Sequence, residues 1–274
     1  FSLDGMLCKH HFSKNGQVFF HIFWVVTLIM QSRIRRILKQ ALGRLIECQD
    51  SENLVRILQM KVKNLETLQD KLDYEMSWRR QEIIRMQIRS VSNSTDATTL
   101  RSAYLLLYSN WERYIRVAAH YYTIFVFSRD ISLMKLTDGF QAIYFENKIK
   151  NVRESKKTVV FQQFLQYLHG QEGLAPHRKY NDELGKRFVN TDSNLNFERL
   201  NNIIKMIGIS TDFSLRKEWI DNHLLNSRNK IAHGERPDLS TLDFKQTSDQ
   251  VLFMMDKFTR DILDAAEAET FIRT

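Results

Sequence analysis

The sequence predicts an all-α protein, an antiparallel helical bundle with a long helical segment at its N-terminal end. Three observations carry this. Apolar residues recur at three- and four-residue steps in nearly every segment. The 274 residues include only two prolines, Pro176 and Pro237, and nine glycines, too little turn punctuation for a sandwich of short strands. With 43% hydrophobic and 26% charged residues, the chain has the make-up of a globular domain that buries its own core. That excludes collagen-like, disordered and multi-span membrane architectures.

Residues 18–29 form an apolar run of twelve, interrupted by His21. A membrane-spanning helix needs about 20, and the small-residue cleavage site of a secretory signal is missing. Residues 1–29 therefore read as a packed hydrophobic tail or an upstream extension, with Met30 as an alternative start and no stable membrane insertion. Cys8, His10 and His11 have no second cluster at ligand spacing, so no metal site is expected. Two cysteines, Cys8 and Cys48, exclude a disulfide framework and fit a reducing, cytoplasmic setting.

Residues 30–90 read as a helical hairpin or arm. Ile34, Ile37, Leu38, Leu42 and Leu45 mark its first helix, and the polar stretch 50–53 breaks it. Leu58, Val62, Leu65 and Leu72 then continue at near-heptad spacing. The polar stretch 90–99 separates this arm from a core over residues 91–274. Residues 100–127, apolar nearly all round except for Glu112, Arg113 and Arg116, predict a central buried helix. Glu112 and Arg116 are four apart and can pair along it.

Residues 138–168 give one or two helices with a basic stretch, Lys148, Lys150, Arg153, Lys156 and Lys157. That stretch is either a solvated face or a surface for phosphate groups. Residues 169–197 read as a loop-rich insertion, and 200–207 as a short helix stopped by Gly208. Residues 216–232 predict a helix with Trp219, Ile220, Leu224, Leu225 and Ile231 as its apolar stripe, ended by Gly234 and Pro237. The last helix begins near Ser240, with Asp243 placed as in a capping box, and runs to about Thr270.

The formal charge of +8 permits a polyanionic partner. Phosphate-loop, dinucleotide, zincin and nucleophile-elbow motifs are absent from the sequence. What stands out is R-N-x-x-x-H at a helix end: Arg228, Asn229 and His233. Asn229 and His233 share a helix face, whereas Arg228 and His233 lie about 140° apart around the axis. Either the long arginine side chain closes that gap, or two copies complete each other across a dimer. A helix C-terminus favours a cation at His233, and the Arg228 fork suits a phosphate. Such a set fits RNA cleavage by the neighbouring 2′-hydroxyl, which needs proton transfer and charge stabilisation but no external nucleophile. The bland alternative is that His233 caps the helix and Arg228 is a solvated charge. A rival pattern, Asp138 with Glu146-Asn147-Lys148, imitates the D…E-x-K set of magnesium-dependent nucleases, which belongs on adjacent strands.

Residues 228–235, RNKIAHGE, placed before a long final helix, resemble the signature of the HEPN superfamily. The helix holding Tyr108, Trp111, Glu112, Tyr114 and Arg116 resembles the first core helix of bacterial HEPN proteins, as does the preceding Trp78-Arg79-Arg80-Gln81-Glu82 stretch. The likeness covers about residues 31–270. It is closest to the group found in bacterial defence and toxin–antitoxin loci, related to the RiboL-PSP type. It implies an all-α, metal-independent, cofactor-free endoribonuclease acting as a homodimer, with an antitoxin or defence-system partner. Arg228 and His233 would be catalytic, Asn229 would assist, and Glu112 would orient the catalytic side chains, unless it serves only its ion pair with Arg116. Lys148, Lys150, Arg153, Lys156, Lys157 and Lys230 would hold the RNA. Some toxin members carry a tyrosine two residues after the histidine for nucleotidylation, and here that position is Glu235. The other readings are a non-catalytic HEPN module that binds RNA, nucleotide or a partner, and a plain helical scaffold.

Overall fold

The computed structural model describes residues 61–92, 96–155, 157–170 and 194–273. The readings placed on residues 1–60, on Lys156 and on the body of the insertion, 171–193, lie outside the described residues. Seven α-helices are described: α1 (Leu65–Ser92), α2 (Ala97–Ser128), α3 (Asp138–Glu154), α4 (Thr158–His169), α5 (Phe197–Ile207), α6 (Asn226–Ala232) and α7 (Thr241–Glu267). Among the described residues there is no strand, and β-pairing is confined to one isolated bridge between Leu136 and Ile272. The protein is all-α. No helix among the described residues is long and apolar enough to cross a membrane.

α1, α2 and α7 form the centre, and side-chain pairs fix their register. Asn110 bonds Glu82 and Tyr121 bonds Glu75, so α1 and α2 run antiparallel. Arg80 bonds Asp256 and Gln87 bonds Ser248, so α1 and α7 are antiparallel too. Tyr104 packs on Phe244 while Tyr114 bonds Thr259, which makes α2 and α7 parallel. Trp111, Tyr114, Ile115, Ala118 and Tyr122 of α2 are fully buried between the other two, as its all-round apolar sequence predicts.

The hairpin or arm expected over residues 30–90 is described only from residue 61, and there α1 packs into the core. α1 buries Leu68, Leu72 and Ile83 completely. Its many charged residues disguise this in sequence, but several of them are structural. The Arg79 guanidinium is buried, pairs with Glu75 and stacks on the Trp78 and Tyr114 rings. The boundary at residue 90 thus falls in the last turn of α1, a helix that shares one core with α2.

The remaining helices build outward from α2. The expected region 138–168 divides into α3 and α4. At Gly139 the backbone of α3 meets the Met206 carbonyl at the end of α5 so closely that an added Cβ would lie 1.9 Å from that oxygen, so only glycine fits. Asp96 caps α2 by accepting from the Thr98 N–H, and Ser240 caps α7 by accepting from the Asp243 N–H at 3.0 Å. The second of these is the cap the sequence predicts.

The expected helix over 216–232 is not uniform. A short 3-10 turn, Ser214–Arg216, leads into a π-helix, Trp219–Leu225, and only then into α6. The Asn226 N–H reaches back to the Asp221 carbonyl, five residues away. The wider turn sets Ile220, Leu224 and Leu225 into the core together. Insertions of this kind are rare and recur at functional sites.

Candidate active site

α6 ends with a Schellman motif. His233 is the C-cap, and Gly234 adopts the left-handed conformation at φ 84°. The Gly234 N–H bonds the Ile231 carbonyl, and the Glu235 N–H bonds the Lys230 carbonyl at 2.9 Å. This fixes the His233 backbone while its side chain stays exposed.

Arg228, one and a half turns earlier, is in a different position. It is half-buried, and its Nη1 donates to Asn194 Oδ1 at 3.1 Å and to Asn229 Oδ1 at 2.8 Å. The guanidinium carbon lies 5.1 Å from the centroid of the Tyr108 ring. Tyr108, on α2, is itself buried, and its hydroxyl accepts from the Leu195 N–H at 2.5 Å. Burial pushes that hydroxyl well above the usual tyrosine range, the nearby Glu112 charge adds to the rise, and the Leu195 N–H opposes it. Tyr108 is therefore a neutral plate.

The chain just before α5 is tied down from several sides. The Arg199 guanidinium donates to the Asn194 carbonyl at 2.9 Å, and Asn196 caps α5 through the Arg199 N–H. Asp221, in the π-helix, accepts from the Phe197 N–H at 2.7 Å. Asn194 thus stands at a junction of α2, α5 and the π-helix.

Asn229 lies beside Arg228, and its side-chain oxygen accepts from the guanidinium. Glu112 makes the helical ion pair with Arg116, at 3.3 Å, and lies one turn from Tyr108 on the same face of α2. Among the described residues, no hydrogen bond or ion pair joins Arg228 to His233. Lys230 is exposed between them.

The basic stretch belongs to other elements. Lys148 lies 4.6 Å above the Tyr167 ring of α4, and Lys150 is 3.8 Å from Glu154. Arg153 and Lys157 are exposed. The D…E-x-K pattern dissolves, because Asp138 and Glu146 share α3. Eight residues separate them by about 12 Å along the axis, too far to hold one ion, and Asp138 pairs with Arg273 instead, at 3.3 Å. Among the described residues, no three His, Cys, Asp or Glu side chains gather at metal-ligating distance.

Sequence reading missed Asn194 and Tyr108. In the sequence Tyr108 shows only as part of an aromatic helix, and Asn194 lies in the expected loop-rich insertion. Neither carries a local signal, because their meeting is made by the crossing of α2, α5 and α6.

A family model described as MAE_28990-like HEPN matches residues 68–271. The matched span starts in α1, not at residue 31, and takes in nearly all of the described core, Val62 lying before it. No curated protein and no solved structure gives a significant match.

Proposed function

The chain belongs to the HEPN family, and on that premise we propose that it is a metal-independent endoribonuclease. HEPN domains are tied to RNA and nucleotide chemistry, which is the coarse reading membership supports. The finer reading rests on the state of the motif. Arg228 is anchored through one nitrogen, and His233 is exposed on a capped helix end.

In the proposed reaction, the 2′-oxygen of a ribose attacks the adjacent phosphorus as its proton leaves. The bond to the 5′-oxygen breaks, and that oxygen takes up a proton. The products are a 2′,3′-cyclic phosphate and a 5′-hydroxyl. His233 moves protons, and Arg228 stabilises the charge on the pentacoordinate phosphate. Flexible single-stranded or loop RNA reaches the in-line geometry most easily.

Arg228 and His233 face about 140° apart on one helix, so we assign their joint action to a homodimer in which each protomer completes the other's set. Lys148, Lys150, Arg153, Lys156, Lys157 and Lys230 would hold the RNA backbone, with binding that weakens steeply with salt. An antitoxin or defence partner and a cytoplasmic setting belong to the same reading.

The deciding experiment is cleavage of single-stranded RNA in EDTA by wild type, Arg228→Ala and His233→Ala. Cleavage by the wild type that falls at least about 10²-fold in each variant supports the reading. RNA binding without cleavage in all three would leave the non-catalytic module. A cut at a phosphate preceded by 2′-deoxyribose would show that the nucleophile is wrong, and a fully active monomer would remove the composite site.

A further inference from the structure

We infer that Asn194 and Tyr108 are positioning residues for Arg228, an assignment that rests on the nuclease reading above. An arginine can meet a phosphate through either of two edges or through its tip, and its long stem gives it many rotamers. Here those choices are reduced to one. The Tyr108 ring, with the guanidinium carbon 5.1 Å from its centroid, sets the plane of the cation. Asn194 Oδ1 and Asn229 Oδ1 both take their hydrogen bonds from the same nitrogen, Nη1.

Among the described residues, Arg228 makes no other side-chain hydrogen bond. The Nε–Nη2 edge is left as the fork, two parallel N–H donors that match two phosphate oxygens. The effect on charge is equally specific. Both anchors are neutral amides, and the plate is a neutral phenol, so the full positive charge stays available for the phosphate. A carboxylate in place of Asn194 would hold the arginine more tightly and cancel what it supplies.

Tyr108 acts twice. Its ring is the plate, and its hydroxyl takes the N–H of Leu195, the residue next to Asn194. One buried side chain on the central helix therefore places both the cation's plane and the amide that orients it. Pre-set orientation of this sort removes reorganisation at the moment charge develops.

The test is a double-mutant cycle on cleavage of a fluorophore-labelled, mixed-sequence single-stranded RNA, with thermal melts beside it. Asn194→Ala should lower kcat about tenfold with a smaller change in KM, the scale of one charge-assisted hydrogen bond. Tyr108→Phe keeps the plate and loses the tie to Leu195, so its loss should be only a few-fold. Tyr108→Leu would also damage the core, so the first two variants carry the decision.

The decisive comparison is the Arg228→Ala background. If Asn194 works through Arg228, adding Asn194→Ala there costs nothing further. A loss that multiplies with that of Arg228→Ala, a loss that tracks a fallen melting temperature, or no loss from Asn194→Ala in the wild type would each overturn the assignment. The outcome is distinct from failure of the nuclease reading, in which the wild type does not cleave or Arg228→Ala cleaves as well as the wild type.

Discussion

The central helices α1, α2 and α7 differ from the short helix α6 in what holds them. Along α2, Trp111, Tyr114, Ile115, Ala118 and Tyr122 are fully buried, and burial of this kind contributes about 1.5–3 kcal/mol for each large side chain. α6 has no buried residue of its own. It is held by the π-helix before it, by the left-handed glycine after it, and by Arg228 bonding across to Asn194. A helix buried on most of its faces leaves few side chains free for another role, whereas one held by its ends, by Ile231 packed partly on the core and by one polar anchor leaves several. The stable part of the molecule and the part proposed to meet a substrate are therefore built from different forces, and they should fail differently.

The largest expected effect falls on the core. Trp111→Ala removes a fully buried indole and should cost about 3–5 kcal/mol of folding stability by chemical denaturation. A loss below about 1 kcal/mol would mean that the three-helix centre does not carry the fold. His233→Ala comes next and should show the opposite pattern. Cleavage should fall at least about 10²-fold, or about 2.7 kcal/mol, while the melting temperature stays put, because the ring is exposed. A large thermal shift would erase the contrast between the two regions.

Gly234→Ala probes the end of α6 directly. Nothing lies within 4 Å of a Cβ added there, so any cost comes from the φ of 84° alone. About 1 kcal/mol of stability should be lost, together with some cleavage, as the His233 cap loosens. An unchanged melting temperature would show that the cap bears no strain.

The smallest effect is a pH dependence on α7. The hydrogen bond from Lys245 holds the Asp249 carboxyl below its ordinary 3.8, with Gln87 adding to it. A carboxyl lowered in the folded state contributes stability above about pH 4, and that contribution is lost as pH falls through the lowered value. Asp249→Asn should flatten this acid limb slightly in melts between about pH 2 and 5. A limb of the same slope would place the acid sensitivity elsewhere.

Much of the architecture can be read from residue order. The all-round apolar stretch of α2, the Ser240 and Asp243 cap, and the glycines that stop α5 and α6 are local features, and each was placed by periodicity or capping chemistry. The place of α1 in the core is hidden in the sequence, because Arg79 and its charged neighbours look solvent-facing until Glu75, Trp78 and Tyr114 close around them. The π-helix escaped because the spacing of Ile220, Leu224 and Leu225 also satisfies an ordinary helix. Which turn width is adopted depends on the core they enter.

The sequence by itself determined the class of the fold, the capped end of α6, and the arginine, asparagine and histidine that α6 carries. These follow from interactions within one or two helical turns, where spacing sets geometry. Only the tertiary structure decided that α1 belongs to the core, and that Arg228 is planed by Tyr108 and held by Asn194 while His233 stays exposed. Tyr108, Asn194 and Arg228 lie far apart along the chain, and they meet because α2, α5 and α6 cross. Such a crossing is set by the packing of all three helices, so no local pattern in the sequence encodes it.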